Sequence, residues 1–312
     1  MQSEEMETRW DADWSMITTW LRTLYPELEA KSSYELMIDY VDPYKITDFY
    51  VRRQEKVEEF LENNGQTGDE EAFLLQMNSQ VEIPFYYEWV EGWRFILCAV
   101  IPNTETVVEI CIAIVLSTIF AGEWHDKTNT LILTTKKGWK ELACVKTGTG
   151  LAFIFELLFA IMAGNIAAQI IFLGTRGWNM PIQSIKLLAV APFNMLQAEL
   201  YQYLYILLGA IGFAGEIMLV SALVKNNFIS VVLGIALVYL PSMISNYLPL
   251  WAQKGLDLLP LAGSSLDIFR TNTFKILGNY IWSPYLLLIV PVLIGCLCMP
   301  LTVKIWMQRA KV

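Results

Sequence analysis

Three carboxylic acids, Glu109, Glu156 and Glu216, lie inside long apolar stretches of this sequence. A charge placed in hydrocarbon is costly unless it is paired, hydrated or neutralised. Each acid therefore either sits neutral or hydrogen-bonded within a helix bundle or lines a path for a polar substrate, and both readings stay open. Glu216 follows Gly209, Gly212 and Gly215, whose spacing offers a small-residue face for close helix contact. Other chemistries lack their parts. There is no GxxxxGK[ST] loop, so the chain does not itself cradle ATP. The one histidine, His125, leaves an HExxH zinc site without ligands, and no metal site is expected. Cys296 and Cys298 sit in an apolar run and read, like Cys98, Cys111 and Cys144, as small hydrophobes. No Asp lies in an apolar span and no His or Lys deep within one, so intramembrane proteolysis has no catalytic group. The expectation is a chain that is not an enzyme and binds no cofactor.

The elements that hold those acids are set by hydropathy. The 312 residues are 55% hydrophobic and 17% charged, with a mean hydropathy of +0.42, which points to lipid rather than to one soluble domain. Residues 1–95 carry 21 acids and 8 bases, a net of −13, while the remainder nets +4. A soluble acidic domain, 1–95, is thus expected ahead of a transmembrane domain, 96–312, with no cationic patch for nucleic acid. A helix crossing about 30 Å of hydrocarbon needs roughly 20 apolar residues. Five stretches qualify, at about 104–122, 149–173, 201–224, 228–251 and 283–305, giving an all-α polytopic bundle. WRFILCAVIP, ahead of the first, reads as an interfacial helix stopped by Pro102.

Lys and Arg set the expected orientation. Nine fall on one side: Lys127, Lys136, Lys137, Lys140, Lys146, Lys225, Lys304, Arg309 and Lys311. Five fall on the other: Arg176, Lys186, Lys254, Arg270 and Lys275. The first side is expected in the cytoplasm with the C-terminus. Trp124, Trp139 and Trp306 form an aromatic belt there, and Trp178, Trp251, Tyr280, Trp282 and Tyr285 form the outer one. Five spans then put residues 1–95 outside the cell, although MQSEEMETRW is no signal peptide. The expectation is that a further span precedes Met1; the alternative is a span count wrong by one. The outer region reads as short helices and loops. Asn63-Asn64-Gly65 ends a helix around DFYVRRQEKVEEFLE that turns Val51, Val57, Phe60 and Leu61 to one side.

The longest cytoplasmic connection is EWHDKTNTLILTTKKGWKELACVK, within loop 123–148. Glu123 to Leu133 can form a short amphipathic helix, Thr134 to Gly138 a turn, and Trp139 restarts a helix. On spacing alone this is either a docking element or a solvated loop that fixes topology. The stretch resembles the one after the second span of type-2 ABC exporter permeases. In that family an acidic residue opens a short coupling helix, a Leu-rich turn leads to Ser/Thr, and a basic-Gly-basic step precedes a Lys. Glu123, Leu131, Leu133, Thr135, Lys137, Gly138 and Lys146 are the matching positions; Trp139, where a basic residue is usual, and Lys127-Thr128, where Gly is common, depart from it. LGAIGFAGEIMLVSALVKNNFISVVLG, SNYLPLW, DLLPLAG and KIWMQRAKV extend the resemblance over about residues 85–312.

The resemblance implies the permease subunit of a bacterial plasma-membrane exporter, with six spans, paired with a second permease and with separate ATPase subunits that hold ATP and Mg. It implies an amphipathic or peptide-like substrate. It also implies ATPase coupling through Glu123, Trp124, Asp126, Lys127, Leu131, Lys137, Gly138, Trp139 and Lys140. The alternative is a non-transporting membrane receptor or immunity protein that binds its ligand through the outer region.

Overall fold

The computed structural model describes residues 16–28, 48–85, 88–126 and 138–309. They form two compact units. The first comprises Met1–Ile96, Leu173–Glu199 and Ile268–Tyr280. Composition alone marks only the N-terminal part, because the other two segments look like ordinary connections between spans.

Within the first unit, α1 (residues 16–24) turns Leu21 and Leu24 onto Tyr25, Leu28 and Leu187, with Trp20, Phe49 and Phe85 packed around them. The second helix, α2 (Phe49–Asn63), and the third, α3 (Asp69–Asn78), share a smaller core of Val57, Leu61, Leu74 and Val190. The predicted apolar side of α2 holds at Val57 and Leu61 but not at Val51, which is 61% exposed. Val51 lies six residues before Val57, which is about 120° away around a helix of 3.6 residues per turn. Asp48 precedes α2 and accepts from the Tyr25 hydroxyl and Arg52 Nε, both at 2.7 Å. Those two bonds hold its carboxyl below the usual carboxylate range.

Three long-range links bind the later segments to this unit. Gln66 Nε2 donates to Thr271 O at 2.6 Å, Trp93 Nε1 to Arg176 O at 2.6 Å, and Gly177 N to Glu88 Oε2 at 2.7 Å. Gly177 has φ of 78°, and a Cβ there would stand 2.9 Å from Trp89 O, so only glycine fits. Two short strands, β1 (Thr273–Ile276) and β2 (Asn279–Trp282), pair as a hairpin. Its two-residue turn, Leu277-Gly278, has both φ values positive, at 51° and 92°, as a type I′ turn requires. A leucine in place of the usual Asn hid that turn from the sequence.

The second unit holds Leu97–Phe172, Leu200–Asp267 and Ile281–Val312. Among the described residues, five helices are long and apolar enough to cross a membrane, the mark of a multi-pass membrane protein. They are α4 (Glu91–His125), α5 (Gly138–Ala168, prolonged by a π-turn to Leu173), α6 (Met195–Leu223), α7 (Asn227–Ser245) and α9 (Ser283–Arg309). A short helix, α8 (Leu250–Asp257), follows α7.

Two boundaries correct the sequence reading. Pro102 does not stop an interfacial helix: the chain is helical from Glu91 through Pro102 to His125, with a π-turn at Ile96–Val100. Pro102 lacks an N–H and crowds the preceding turn, and a widened turn just before it absorbs both defects. The fourth span ends at Ser245, not Trp251, because Pro249 stands in extended conformation as the cap of α8.

Serines tie α4, α6 and α7 together. Ser221 Oγ accepts from Phe120 N at 3.0 Å and Ala121 N at 3.1 Å and donates to Ser117 O at 2.7 Å; Ser230 Oγ donates to the same carbonyl at 2.7 Å. Glycines carry the contact of α6 with α9. A Cβ on Gly212 would clash with Pro291 O, and one on Gly215 would lie 3.0 Å from the Gly295 Cα.

Arg53 is a buried charge of the first unit, 4% exposed. It donates to Leu187 O at 3.0 Å, Ala189 O at 3.2 Å and Asn78 Oδ1 at 2.9 Å. Burial pushes its pKa down to about 10, so it stays charged at neutral pH. Arg53→Lys keeps the charge but cannot span three acceptors with one ammonium. It is expected to destabilise the first unit by about 2–3 kcal/mol, read as faster limited proteolysis within residues 48–85; unchanged protection would show that the guanidinium is dispensable.

Candidate functional site

At the end of the second unit where the chain enters α4, polar groups converge on Glu105. This carboxyl is 6% exposed. Its Oε1 accepts from the Tyr205 hydroxyl of α6 at 3.1 Å, and its Oε2 from Ser265 N at 3.1 Å. Gln202, one turn before Tyr205 and fully buried, bridges Leu97 O and Ser265 O at 3.0 Å each. Tyr201 donates to Pro284 O at 3.0 Å. Residues 201, 202 and 205 thus share one face of α6, which fastens α4, the segment after α8, and the start of α9.

Beside this cluster lies a cavity of about 300 Å³, lined by Glu105, Thr106 and Glu109 of α4, Tyr239 and Ser242 of α7, and Ser264. Glu105 and Glu109 are one turn apart and share a helix face. No hydrogen bond or ion pair among the described residues engages Glu109. The helix begins at Glu91, so Glu109 is the nineteenth of its 35 residues. What keeps this acid tolerable is the cavity. Two carboxyls, three hydroxyls and a phenol in one hollow suit a cationic or hydrogen-bond-donating group.

At the opposite end of α4, several of the expected coupling residues come together. Lys146 Nζ of α5 pairs with Glu123 Oε1 at 2.6 Å and donates to Ile119 O at 2.6 Å. Its ammonium lies 5.8 Å from the Trp306 ring. Trp306, fully buried, is met by Phe120 at 5.2 Å, Trp124 at 6.0 Å and Trp139 at 5.2 Å between ring centroids. Lys225 stands 4.9 Å over Trp124. Glu123 and Trp124 belong to the last turns of α4 and do not open a new helix, which corrects that part of the expectation; Asp126 is exposed just beyond. Gly138, Trp139 and Lys140 begin α5. Lys127, Leu131, Leu133, Thr135 and Lys137 lie outside the described residues.

The remaining acids separate. Glu216 is half-buried on α6 beside Gly215, which faces Gly295 of α9. Glu156 is exposed and sits at the middle of its helix, not two turns from one end, because α5 starts a dozen residues earlier than hydropathy placed it. The sequence reading passed over Glu105, Tyr201, Gln202 and Tyr205. The signal for Glu105 was present in its four-residue spacing from Glu109. The pairing of that acid with Tyr205 and Ser265, 100 and 160 residues away, had no local signature.

No protein family, curated protein or solved structure compared with the chain matches it. The cavity is testable by itself. In a cysteine-free chain reconstituted in nanodiscs, Thr106→Cys and Glu109→Cys are expected to react with a charged methanethiosulfonate at least about tenfold faster than Val108→Cys, which is fully buried. Equal rates at all three positions would mean that no water-filled hollow exists there.

Proposed function

We propose that the chain is the membrane-spanning subunit of an ATP-driven exporter of the type-2 ABC kind. ATP and Mg are held by a separate ATPase subunit, and an amphipathic or peptide-like substrate leaves across a bacterial plasma membrane. One observation carries the reading: the rivet formed by Lys146, Glu123 and the Trp306 cage. The connection 123–148 leaves α4 and enters α5 through this rivet, which also grips α9. A force applied to such a connection moves three helices together instead of being absorbed at a loose loop. The basic residues around it suit the cytoplasmic face, where an ATPase docks.

In this reading Trp139 and Glu123 transmit the motion, while Asp126, Lys127 and Lys137 offer the charges that meet the ATPase. The Glu105–Glu109 cavity, at the other end of the bundle, supplies a polar station for a substrate bearing an amine or amide. A second permease and two ATPases complete the assembly, alternating access as ATP draws the ATPases together.

A receptor or immunity role is the second reading, favoured by a cavity of about 350 Å³ within the first unit. Trp20, Phe60 and Leu187 give it an apolar wall, and Ser184 and Lys186 a polar one. Binding of a ligand by the chain without any ATPase would favour this reading over export.

The exporter reading is tested by Trp139→Ala and Glu123→Gln in vesicles holding the chain with its ATPase. Both variants are expected to assemble and hydrolyse ATP while export falls by on the order of tenfold, as loss of a coupling contact worth roughly 1.4 kcal/mol implies. Wild-type export from both would leave the loop as a topology signal only.

A further inference from the structure

A second hollow of the first unit, about 150 Å³ in volume, lies where the chain folds back ahead of α6. Its rim is made of exposed polar side chains, Gln80 and Glu82 after α3 and Asn179 and Gln197 beside the start of α6. Pro181, Pro192 and Phe193 supply an apolar wall. Gln183 also lines it and is fully buried.

Gln183 sits in a short turn, Ile182–Ser184, anchored by Ile182 N donating to Phe193 O at 3.0 Å. Its Nε2 donates to Ala189 O at 2.9 Å and to Ala191 O at 2.8 Å. Those two acceptors settle which end of the carboxamide is nitrogen, because the reverse placement would set an oxygen against two carbonyl oxygens. Oε1 is thereby turned away from them, and it is buried with no hydrogen-bond partner among the described residues. A buried acceptor left unpaired is costly. Tying two carbonyls together explains the nitrogen of Gln183 but not its oxygen.

The rim has spare capacity too. Gln197 N donates to Asn194 Oδ1 at 2.8 Å, Asn194 N to Gln197 Oε1 at 3.0 Å, and Asn194 Nδ2 to Asn179 Oδ1 at 3.1 Å. Nε2 of Gln197, Nδ2 of Asn179 and the whole carboxamide of Gln80 then remain unpaired among the described residues. Glu82 is the charged residue of the lining, so an anion is disfavoured. The set fits a neutral molecule that donates and accepts at several points. A hydroxyl does both from one atom, and two hydroxyls on neighbouring ring carbons match the two ends of a carboxamide. At about 30 Å³ per water the hollow has room for about five waters, or for one ring of similar bulk, but not for a chain.

We infer that this hollow binds a single sugar ring, with one hydroxyl donating to Gln183 Oε1, others meeting Gln80, Asn179 and Gln197, and its C–H face against Phe193. The assignment is independent of whether the chain exports a substrate or acts as a receptor.

The test uses the full chain in nanodiscs and saturation-transfer NMR with glucose, galactose and N-acetylglucosamine as probes. N-acetylglycinamide is the comparison, since its amides donate and accept without a ring of hydroxyls. At least one sugar is expected to bind saturably, with a Kd on the order of 1 mM, and the amide is not. Gln80→Ala removes an exposed side chain that holds nothing else and is expected to weaken binding about fivefold. Gln183→Met keeps the bulk, removes Oε1 and is expected to abolish binding. Where Gln183→Met fails to fold, Gln80→Ala and the mouth-filling Gln80→Trp carry the test. Lys186→Gln, in the other cavity of this unit, leaves binding unchanged. The inference is overturned if none of the three sugars binds saturably up to about 50 mM, which would leave the hollow to water. Binding of the amide as tight as that of the sugars, or sugar binding unaltered in Gln80→Ala and Gln80→Trp, overturns it equally.

Discussion

The second unit depends on the satisfaction of one buried carboxyl. Glu105 has no bulk water to turn to, and its two oxygens accept from a phenol on α6 and a backbone amide after α8. Each bond replaces hydration lost on burial, so losing either partner leaves a buried acceptor unsatisfied, a larger penalty than the bond is worth in water. The segment after α8 is therefore held in place by polar chemistry, since Gln202 grips the carbonyl of the same Ser265 whose amide reaches Glu105. Fixing that segment fixes Ser264 on the wall of the cavity and Leu261 against Gly209.

Farther along the bundle the forces change character. Between α6 and α9 the contact is steric: Gly212 and Gly215 let backbone meet backbone, and dispersion replaces hydrogen bonding as the source of attraction. Between α4, α6 and α7 two serine hydroxyls, of Ser221 and Ser230, bond to a single stretch of α4 around the Ser117 carbonyl. At the Lys146 end an ammonium is surrounded by a carboxylate, a carbonyl and aromatic faces, each of which lowers the cost of taking it from water. The bundle thus has a polar hollow at one end and a stiff aromatic base at the other.

Much of this was legible, and the parts that were not share a cause. Hydropathy located all five spans because a membrane demands a long apolar run, and that demand is local in sequence. It misplaced their ends where a span continues into polar sequence as helix, as at Glu91 and Gly138, because hydropathy records the solvent and not the hydrogen-bond ladder. The hairpin at Thr273–Trp282 escaped because Leu277 occupies a left-handed position usually marked by Asn or Gly. Glu105 escaped because its partners come from distant turns. The small-residue face of α6 was readable from Gly209, Gly212 and Gly215 alone, since close helix contact leaves its trace in composition.

The open faces of α5 and α7 extend that logic to what surrounds the chain. In water an exposed apolar residue is ambiguous, because every soluble surface carries some. In a membrane the ambiguity inverts: a large apolar residue is the neutral choice, and an exposed acid or glycine needs a reason. By that standard Phe228, Val232 and Met243 on α7 need nothing more than lipid. Glu156 is exposed at the middle of α5, where a carboxyl is the costly choice, and a Cβ on Gly148 or Gly164 would meet nothing within 4 Å among the described residues. Exposure on a span is thus informative in proportion to the polarity of the group exposed.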